Sequence, residues 1–348
     1  MDSVNQNEVT ASFEAFVLDF KRPSGTSRGV LTQKKGWKLK LIDPNGITGL
    51  GECSIIPGLS PDYISDEQYE KQLKIVCQNP FQFIENKELL LDYPSILFGL
   101  ESAYFDLLNG GKRIYFNSGK SNAGFQIPIN GLIWMGDPEY MQSQIEEKLA
   151  AGFTCIKLKV GAIDFKQELN LLGGIRSRFD SSKITLRVDA NGAFNPDDAL
   201  WKLGELSKLD IHSIEQPIKA GFPEIMSELC AETPLPIALD EELIGINLTE
   251  EKIALLDTIR PQYIILKPSL HGGFSGTKEW IELADSRNIP WWITSALESN
   301  IGLNAIAQFT AEYNPVLPQG LGTGGLYETN FEAPLRIENG YLHYQSFI

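Results

Sequence analysis

Basic charge is in short supply in this chain. Thirty lysines and arginines stand against 45 aspartates and glutamates, for a formal net charge of −15 and a pI near 4.8. Nucleic acid needs a cationic surface, so it is not an expected partner, and an anionic small molecule must find its positive charge locally. Histidine is scarce: His212, His271 and His343 are the only three, and none has a partner at ligand or triad spacing. The four cysteines, Cys53, Cys77, Cys155 and Cys230, are scattered, without a short metal-binding interval. Zinc sets, disulfide frameworks and Ser/Cys–His hydrolases are therefore poor readings, and buried reduced thiols the plain one. No run of about 18 apolar residues occurs, so no membrane-spanning helix is expected. Residues Met1 to Gln6 hold neither a basic cluster nor an apolar stretch, so no secretory signal is expected and a cytoplasmic location is.

What is present is enough apolar material, 43% of 348 residues, for a large core and two domains. From Ala11 to Glu52 the pattern is strand-like: Trp37, Leu39 and Leu41 alternate with Lys38 and Lys40, and Asp43-Pro44-Asn45-Gly46 supplies a turn. Ser65 to Val76 and Pro94 to Leu108 read as helices, the second stopped by Asn109-Gly110-Gly111. Beyond Phe125 the texture changes to short apolar runs alternating with helical stretches. Strands are expected at 126–132, 155–160, 184–189, 211–215, 236–240, 262–267, 290–295 and Pro315–Leu317, with helices such as Pro138–Ala151, Asp197–Leu209 and Ser275–Arg287 between them. Eight strands with seven helices predict an α/β chain, a modified (β/α)7β TIM-type barrel over residues 123–325 with an α+β capping domain over 1–122. The tail, with Asn339-Gly340 as a hairpin turn, predicts a return of 326–348 to the first domain.

Charged residues close five of these runs at almost constant intervals. Lys157 and Lys159 come first; Asp189, Glu215, Asp240 and Lys267 follow at steps of 26, 25 and 27 residues. If the strands close into a barrel, those charges meet at its carboxyl end. Lysines two apart on a strand share a face, which in a barrel is the interior. For Lys38 and Lys40 a solvated edge is the better reading; for Lys157 and Lys159 the register with the later charges favours a site. Each is expected to lower the other's pKa, leaving one available as a base. Any one of Asp189, Glu215 and Asp240 alone reads as a cap or loop charge. Together they form an oxygen-only set suited to Mg²⁺, with Mn²⁺ as a substitute. Glu241 beside Asp240 reads as a residue that orients a lysine or a ligand rather than one that binds the metal itself. Lys267 lies across the barrel from the first pair, and lysines on two sides of a metal-held carboxylate suit removal of its α-proton. Gly320 to Gly325 reads either as a phosphate loop at the barrel mouth or as a tight substrate-facing turn, and Ser295 to Ser299 as a source of N–H groups for a second carboxylate.

The Lys-x-Lys pair, Asp189 with Asn191, Glu215-Gln216-Pro217, Asp240-Glu241 and Lys267-Pro268 resemble, in order and spacing, the muconate-lactonizing-like branch of the enolase superfamily. The resemblance covers nearly the whole chain and implies Mg²⁺ on Asp189, Glu215 and Asp240 beneath a capping domain. Pro23 to Gly29, Gly51-Glu52-Cys53-Ser54 with Pro57 to Ser60, and Ser295-Ala296-Leu297-Glu298-Ser299 are similar to loops of the o-succinylbenzoate synthase family; Cys53 stands where a glycine or alanine is expected. That family dehydrates 2-succinyl-6-hydroxy-2,4-cyclohexadiene-1-carboxylate in menaquinone biosynthesis, so the resemblance implies a small dicarboxylate substrate. It also implies Lys159 as the base, Lys267 as the charge on the opposite face, and Lys157 as a carboxylate holder. The implied substrate contacts are Arg28, Asn191, Ser295, Leu297, Glu298, Ser299, Gly322 and Thr323. An N-succinylamino-acid racemase or dipeptide epimerase shares the same core, a muconate cycloisomerase is a further relative, and a non-catalytic metal- or carboxylate-binding barrel is the alternative outside enzymes. The oligomeric state is not legible.

Overall fold

The computed structural model of the chain describes residues 8–26, 29–117 and 123–346. The first unit is an antiparallel sheet, β1 (Thr10–Thr26), β2 (Gly29–Ile42) and β3 (Thr48–Ser54), in that spatial order. Asp43 makes the β2–β3 turn by accepting from the N–H groups of Asn45 and Ile47 at 2.9 and 2.8 Å, with Gly46 at φ +82° closing it. Three helices follow: α1 (Asp66–Gln78), α2 (Pro80–Glu85) and α3 (Pro94–Leu108). Ser65 caps α1 from its side chain, and prolines open α2 and α3, where a missing N–H costs nothing. Glycine lets α3 approach β3 closely: a Cβ on Gly51 would stand 1.9 Å from the Gly99 carbonyl oxygen. The sheet face and helices enclose a core around Trp37, Leu39, Leu41, Tyr69 and Leu100.

The second unit alternates strand and helix. It runs β4 (Phe125–Pro128), β5 (Gly131–Ile133), α4 (Pro138–Ala150), β6 (Cys155–Lys159), α5 (Phe165–Arg178), β7 (Thr185–Asp189), α6 (Pro196–Ser207) and β8 (Ser213–Glu215). It continues with α7 (Pro223–Glu232), β9 (Ile237–Leu239), α8 (Thr249–Ile259), β10 (Tyr263–Leu266), α9 (Gly273–Asp285), β11 (Trp291–Ile293) and α10 (Asn300–Glu312). Strands β5 to β11 form one parallel sheet in sequence order, as right-handed β/α repetition requires. Residues 319–320 close the ring, since Gln319 bridges Ile129 and Gly320 bridges Thr294, both in parallel sense.

Three expectations need correction. The closing pairs lie at 319–320 rather than at Pro315–Leu317, because Pro315 and Pro318 lack the N–H groups a ladder needs; Val316 between them is 90% exposed. The expected strand at 126–132 is two pieces. Pro128 ends β4, which pairs with the tail hairpin; the chain then bridges Gln319 at Ile129 and continues as β5 in the barrel sheet. The tail also divides. Residues 326–328 do join β1, through Lys21 N–Leu326 O and Glu328 N–Asp19 O at 2.9 Å each. The hairpin of β12 (Leu335–Glu338) and β13 (Tyr341–Tyr344), turned by Asn339 and Gly340 at positive φ, pairs instead with β4 beside the barrel. Among the described residues, no helix is long and apolar enough to cross a membrane.

Candidate active site

Every residue of β6 is buried, with Ile156 and Leu158 facing the surrounding helices and the two lysines facing the interior. Strand register then places the charges side by side: Lys159 pairs with Asp189, and Asp189 with Glu215. Asp240 lies one residue past β9 and Lys267 one past β10. Lys157 Nζ donates to Asp189 Oδ2 at 3.0 Å and to Glu215 Oε2 at 2.6 Å. Lys159 Nζ donates to the same Asp189 oxygen at 2.8 Å and to Asn191 Oδ1. Across the ring, Lys267 Nζ donates to both oxygens of Asp240, at 2.6 Å to Oδ1. All six expected charges thus gather at the carboxyl ends of β6 to β10.

Two amides hold this arrangement at left-handed backbone positions. Asn191, at φ +43°, donates from N to Asp189 Oδ1 at 3.0 Å and from Nδ2 to Glu241 Oε1 at 2.9 Å, which gives Glu241 an orienting place in the network. Gln216, at φ +39° and fully buried, accepts on Oε1 from the backbone N–H groups of Asp240 and Glu242, each at 3.2 Å. Its Nε2 donates to Glu242 Oε2 and Ile218 O, each at 3.1 Å. Three of these four bonds tie the end of β8 to the end of β9, and the fourth, to Ile218 O, braces the amide locally.

Burial penalises every charge here, so the outcome depends on neighbours. For Lys157, burial works against the ammonium, but Asp189 and Glu215 outweigh it and hold the pKa above the ordinary lysine value. Lys267 is likewise raised, burial being overcome by Asp240. The expected mutual depression of the Lys157–Lys159 pair is therefore corrected for Lys157. The Asp189 carboxylate bonded to both ammonium groups replaces their repulsion with attraction. Asp189 is held down by Lys157 and Lys159 against burial, and Asp240 by Lys267. Glu215 is pushed well up by burial and by the Asp189 charge beside it.

That imbalance tests whether the set suits a divalent cation. Of three buried carboxyl groups, one is driven toward its neutral form by burial and by the other two despite the lysines bonded to the set, so added positive charge would be welcome there. Their donors are all oxygen, as Mg²⁺ prefers. Among the described residues no three His, Cys, Asp or Glu side chains are arranged to hold a metal as they stand. The oxygens are turned to the ammonium groups of Lys157 and Lys267, which supply the charge a metal would bring. In chemistry and placement the donor set fits; reception of a metal requires the carboxyl groups to turn from the lysines.

Over these charges lies a cavity of about 590 Å³. Its floor includes Lys157, Lys159, Lys267, Glu215 and Asn191; Ser295, Leu297, Gly322 and Thr323 form part of its wall. The first unit contributes Ser24, Leu31, Ile56, Pro57 and Leu59, so both expected cap loops reach it. Arg28 lies outside the described residues. Glu298 and Ser299 do not reach the cavity: both are 0% exposed, Glu298 accepting from Ser269 and Ser295 and Ser299 donating to Glu52. Their expected ligand contacts are corrected on that ground, because their polar atoms already have protein partners. Missed from sequence were Asn130, Trp134 and the apolar Leu31 and Ile56. Trp134 directly follows β5, so the rule that function sits just past strand ends would have found it had that strand been placed correctly. Asn130 Oδ1 and Thr323 Oγ1 are buried, lack protein partners and belong to residues of the cavity wall.

An α+β cap over a parallel barrel, with paired lysines and carboxylates at the strand ends, defines a class. The family model for the enolase C-terminal domain-like fold matches residues 140–346, and the chain belongs to the enolase superfamily of enzymes. It is 48% identical to the o-succinylbenzoate synthase of Desulfotalea psychrophila over 95% of this chain and 98% of that one. The crystal structure of MenC from the same organism matches with a TM-score of 0.83 and 46% identity, covering 96% of this chain and 99% of that one. The N-succinyl Arg/Lys racemase of Bacillus cereus also matches with a TM-score of 0.83, at 20% identity over 97% and 93% of the two chains, a likeness of fold alone.

Proposed function

We propose that the chain is an o-succinylbenzoate synthase, a carbon–oxygen lyase that dehydrates 2-succinyl-6-hydroxy-2,4-cyclohexadiene-1-carboxylate to 2-succinylbenzoate. The observation that carries this reading is the placement of Lys159 and Lys267 on opposite sides of one cavity floor, with three carboxyl groups between them. The near-complete match to a curated synthase at 48% identity supports the particular reaction. The cap of residues 1–122 then roofs the barrel of 123–325.

Asp189, Glu215 and Asp240 would hold Mg²⁺, which when bound draws the substrate carboxylate and stabilises the charge that develops on it. Lys159 Nζ, freed of its proton, takes the ring proton on the carbon beside that carboxylate. The electron pair left behind moves into the ring as the neighbouring C–O bond breaks. The same ammonium returns the proton to the departing hydroxyl, which leaves as water from the same face. Asn191 and Asp189 orient Lys159. Lys267, cationic on the far face, stabilises the charge-rich intermediate, and Lys157 holds carboxylate oxygens near the metal set. Leu31, Ile56, Trp134 and Leu297 offer the ring an apolar wall, while Asn130 and Thr323 supply unpaired polar atoms to its substituents.

The test is turnover of the cyclohexadiene with Mg²⁺ and with EDTA. The reading requires metal-dependent formation of 2-succinylbenzoate. The same two-sided lysines also favour a second reading, 1,1-proton transfer on N-succinylamino acids. Rapid α-deuterium exchange of both stereoisomers in D₂O, without dehydration, would establish that activity instead.

A further inference from the structure

Leu297 forms part of the cavity wall with φ at +63°, a left-handed conformation that a branched side chain adopts only under constraint. Part of the constraint comes from the tail segment that joins β1 and part from the barrel. Tyr327 Oη donates to Leu297 O at 2.6 Å, and the Glu298 carboxylate accepts from Ser295 and from Ser269, two residues past Lys267. The rest comes from the cap. Glu52, on β3, accepts at Oε1 from Ser299 N at 2.9 Å and at Oε2 from Gly302 N at 2.8 Å and from Ser299 Oγ. Ser299 is the N-cap of α10, so a cap carboxylate satisfies the first, otherwise orphaned N–H groups of a barrel helix. A Cβ on Gly302 would lie 2.8 Å from Glu298 Cβ and 3.0 Å from Glu52 Oε2, so glycine eases the packing of both carboxylate side chains here. Glu52 and Ser299 are each 0% exposed. The cap strand bearing Glu52 leads directly into Ile56, another part of the wall, and Lys34 fixes the intervening turn by donating to Ile55 O.

We propose that Glu52 is a positioning residue for substrate recognition. Through Ser299 it locks the wall segment Ser295–Leu297 to the cap, so that the two walls of the cavity, Leu297 from the barrel and Ile56 from the cap, meet the substrate at a fixed separation. The substrate named in the test rests on the function proposed above; the clamp itself does not. Glu52 acts at a distance from the reacting atoms, so its loss affects binding more than chemistry.

The experiment compares wild type with Glu52→Gln and Ser299→Ala, the second removing only the hydroxyl. Expected for both is a rise in KM for the cyclohexadiene of about tenfold, with kcat changed by less than about threefold. Magnesium affinity by calorimetry should match wild type. Hydrogen exchange of peptides spanning residues 295–302 should accelerate while those of β6 to β9 stay protected. Unchanged KM together with a lowered Tm would reduce Glu52 to a structural residue and overturn the proposal, as would exchange that rises equally across the barrel. If wild type fails to turn over the cyclohexadiene, the functional reading falls and the exchange measurement alone decides the clamp.

Discussion

At the scale of single residues, the site is organised by sharing. One oxygen of Asp189 accepts from two lysines, and one amide, Gln216, serves two backbone N–H groups and a carboxylate. Lys159 has no apolar role that its removal would forfeit, whereas the chemistry needs an amine at that point. Lys159→Gln should therefore cut kcat by about 10³-fold, in the range typical of a lost general base, while Tm stays near wild type. Turnover at a tenth of wild type or more would show that another group takes the proton. Gln216 makes a different prediction. Gln216→Leu deletes the bonds that fix Asp240 relative to Glu215 but leaves every carboxylate in place. Magnesium affinity should fall by about 10- to 100-fold, as for other residues that orient metal ligands. Calorimetry on the variant, with circular dichroism to confirm the fold, checks it; wild-type affinity would mean that the strand ends need no clamp.

At the scale of elements, close approach matters as much as pattern. A Cβ on Gly51 would meet the Gly99 carbonyl oxygen at 1.9 Å and the Ala103 N at 2.8 Å, both backbone atoms with little freedom to yield. Gly51→Ala should force α3 off β3 and destabilise the cap by about 3 kcal/mol, the upper end of ordinary overpacking. Urea unfolding followed by circular dichroism measures it. This contact also shows where sequence reading stops. Strand ends carrying Lys157 to Lys267 were legible because parallel β/α units impose a fixed length and a fixed pointing direction on the last residue. The motif holding Glu298 and Ser299 sits at a strand end and so suggests ligand contacts; the cap carboxylate that claims Ser299 is 247 residues away, a pairing no local pattern encodes. The apolar run Pro315–Leu317 points to an eighth strand a few residues too early, because Pro315 and Pro318 lack the donors a ladder needs. A single strand at 126–132, running through Pro128, hides the strand end after which Trp134 stands.

At the scale of the whole molecule, a net charge of −15 makes buried carboxyl groups central to how stability responds to pH. Asp62 sits in the cap at 7% exposure, its Oδ2 accepting from Ser95 N and Oγ at 2.9 and 2.6 Å and its Oδ1 without a partner. Burial pushes its pKa from 3.8 up to about 6, more than those bonds pull it down. Between these two values the folded chain keeps a proton on Asp62 that the unfolded chain has released. Stability from this group is therefore full below about pH 4 and is lost as pH rises toward 6, opposite to a salt-bridged aspartate. Asp62→Asn keeps an acceptor oxygen for Ser95 and cannot ionise. Its stability relative to wild type should improve from pH 4 to pH 6.5 by an amount on the order of 3 kcal/mol, about 1.4 for each unit of pKa shift. Paired urea titrations at the two pH values read the difference directly, with every other ionisable group common to both proteins. A difference independent of pH would mean that Asp62 stays ionised in the folded cap and that its buried surroundings tolerate the charge.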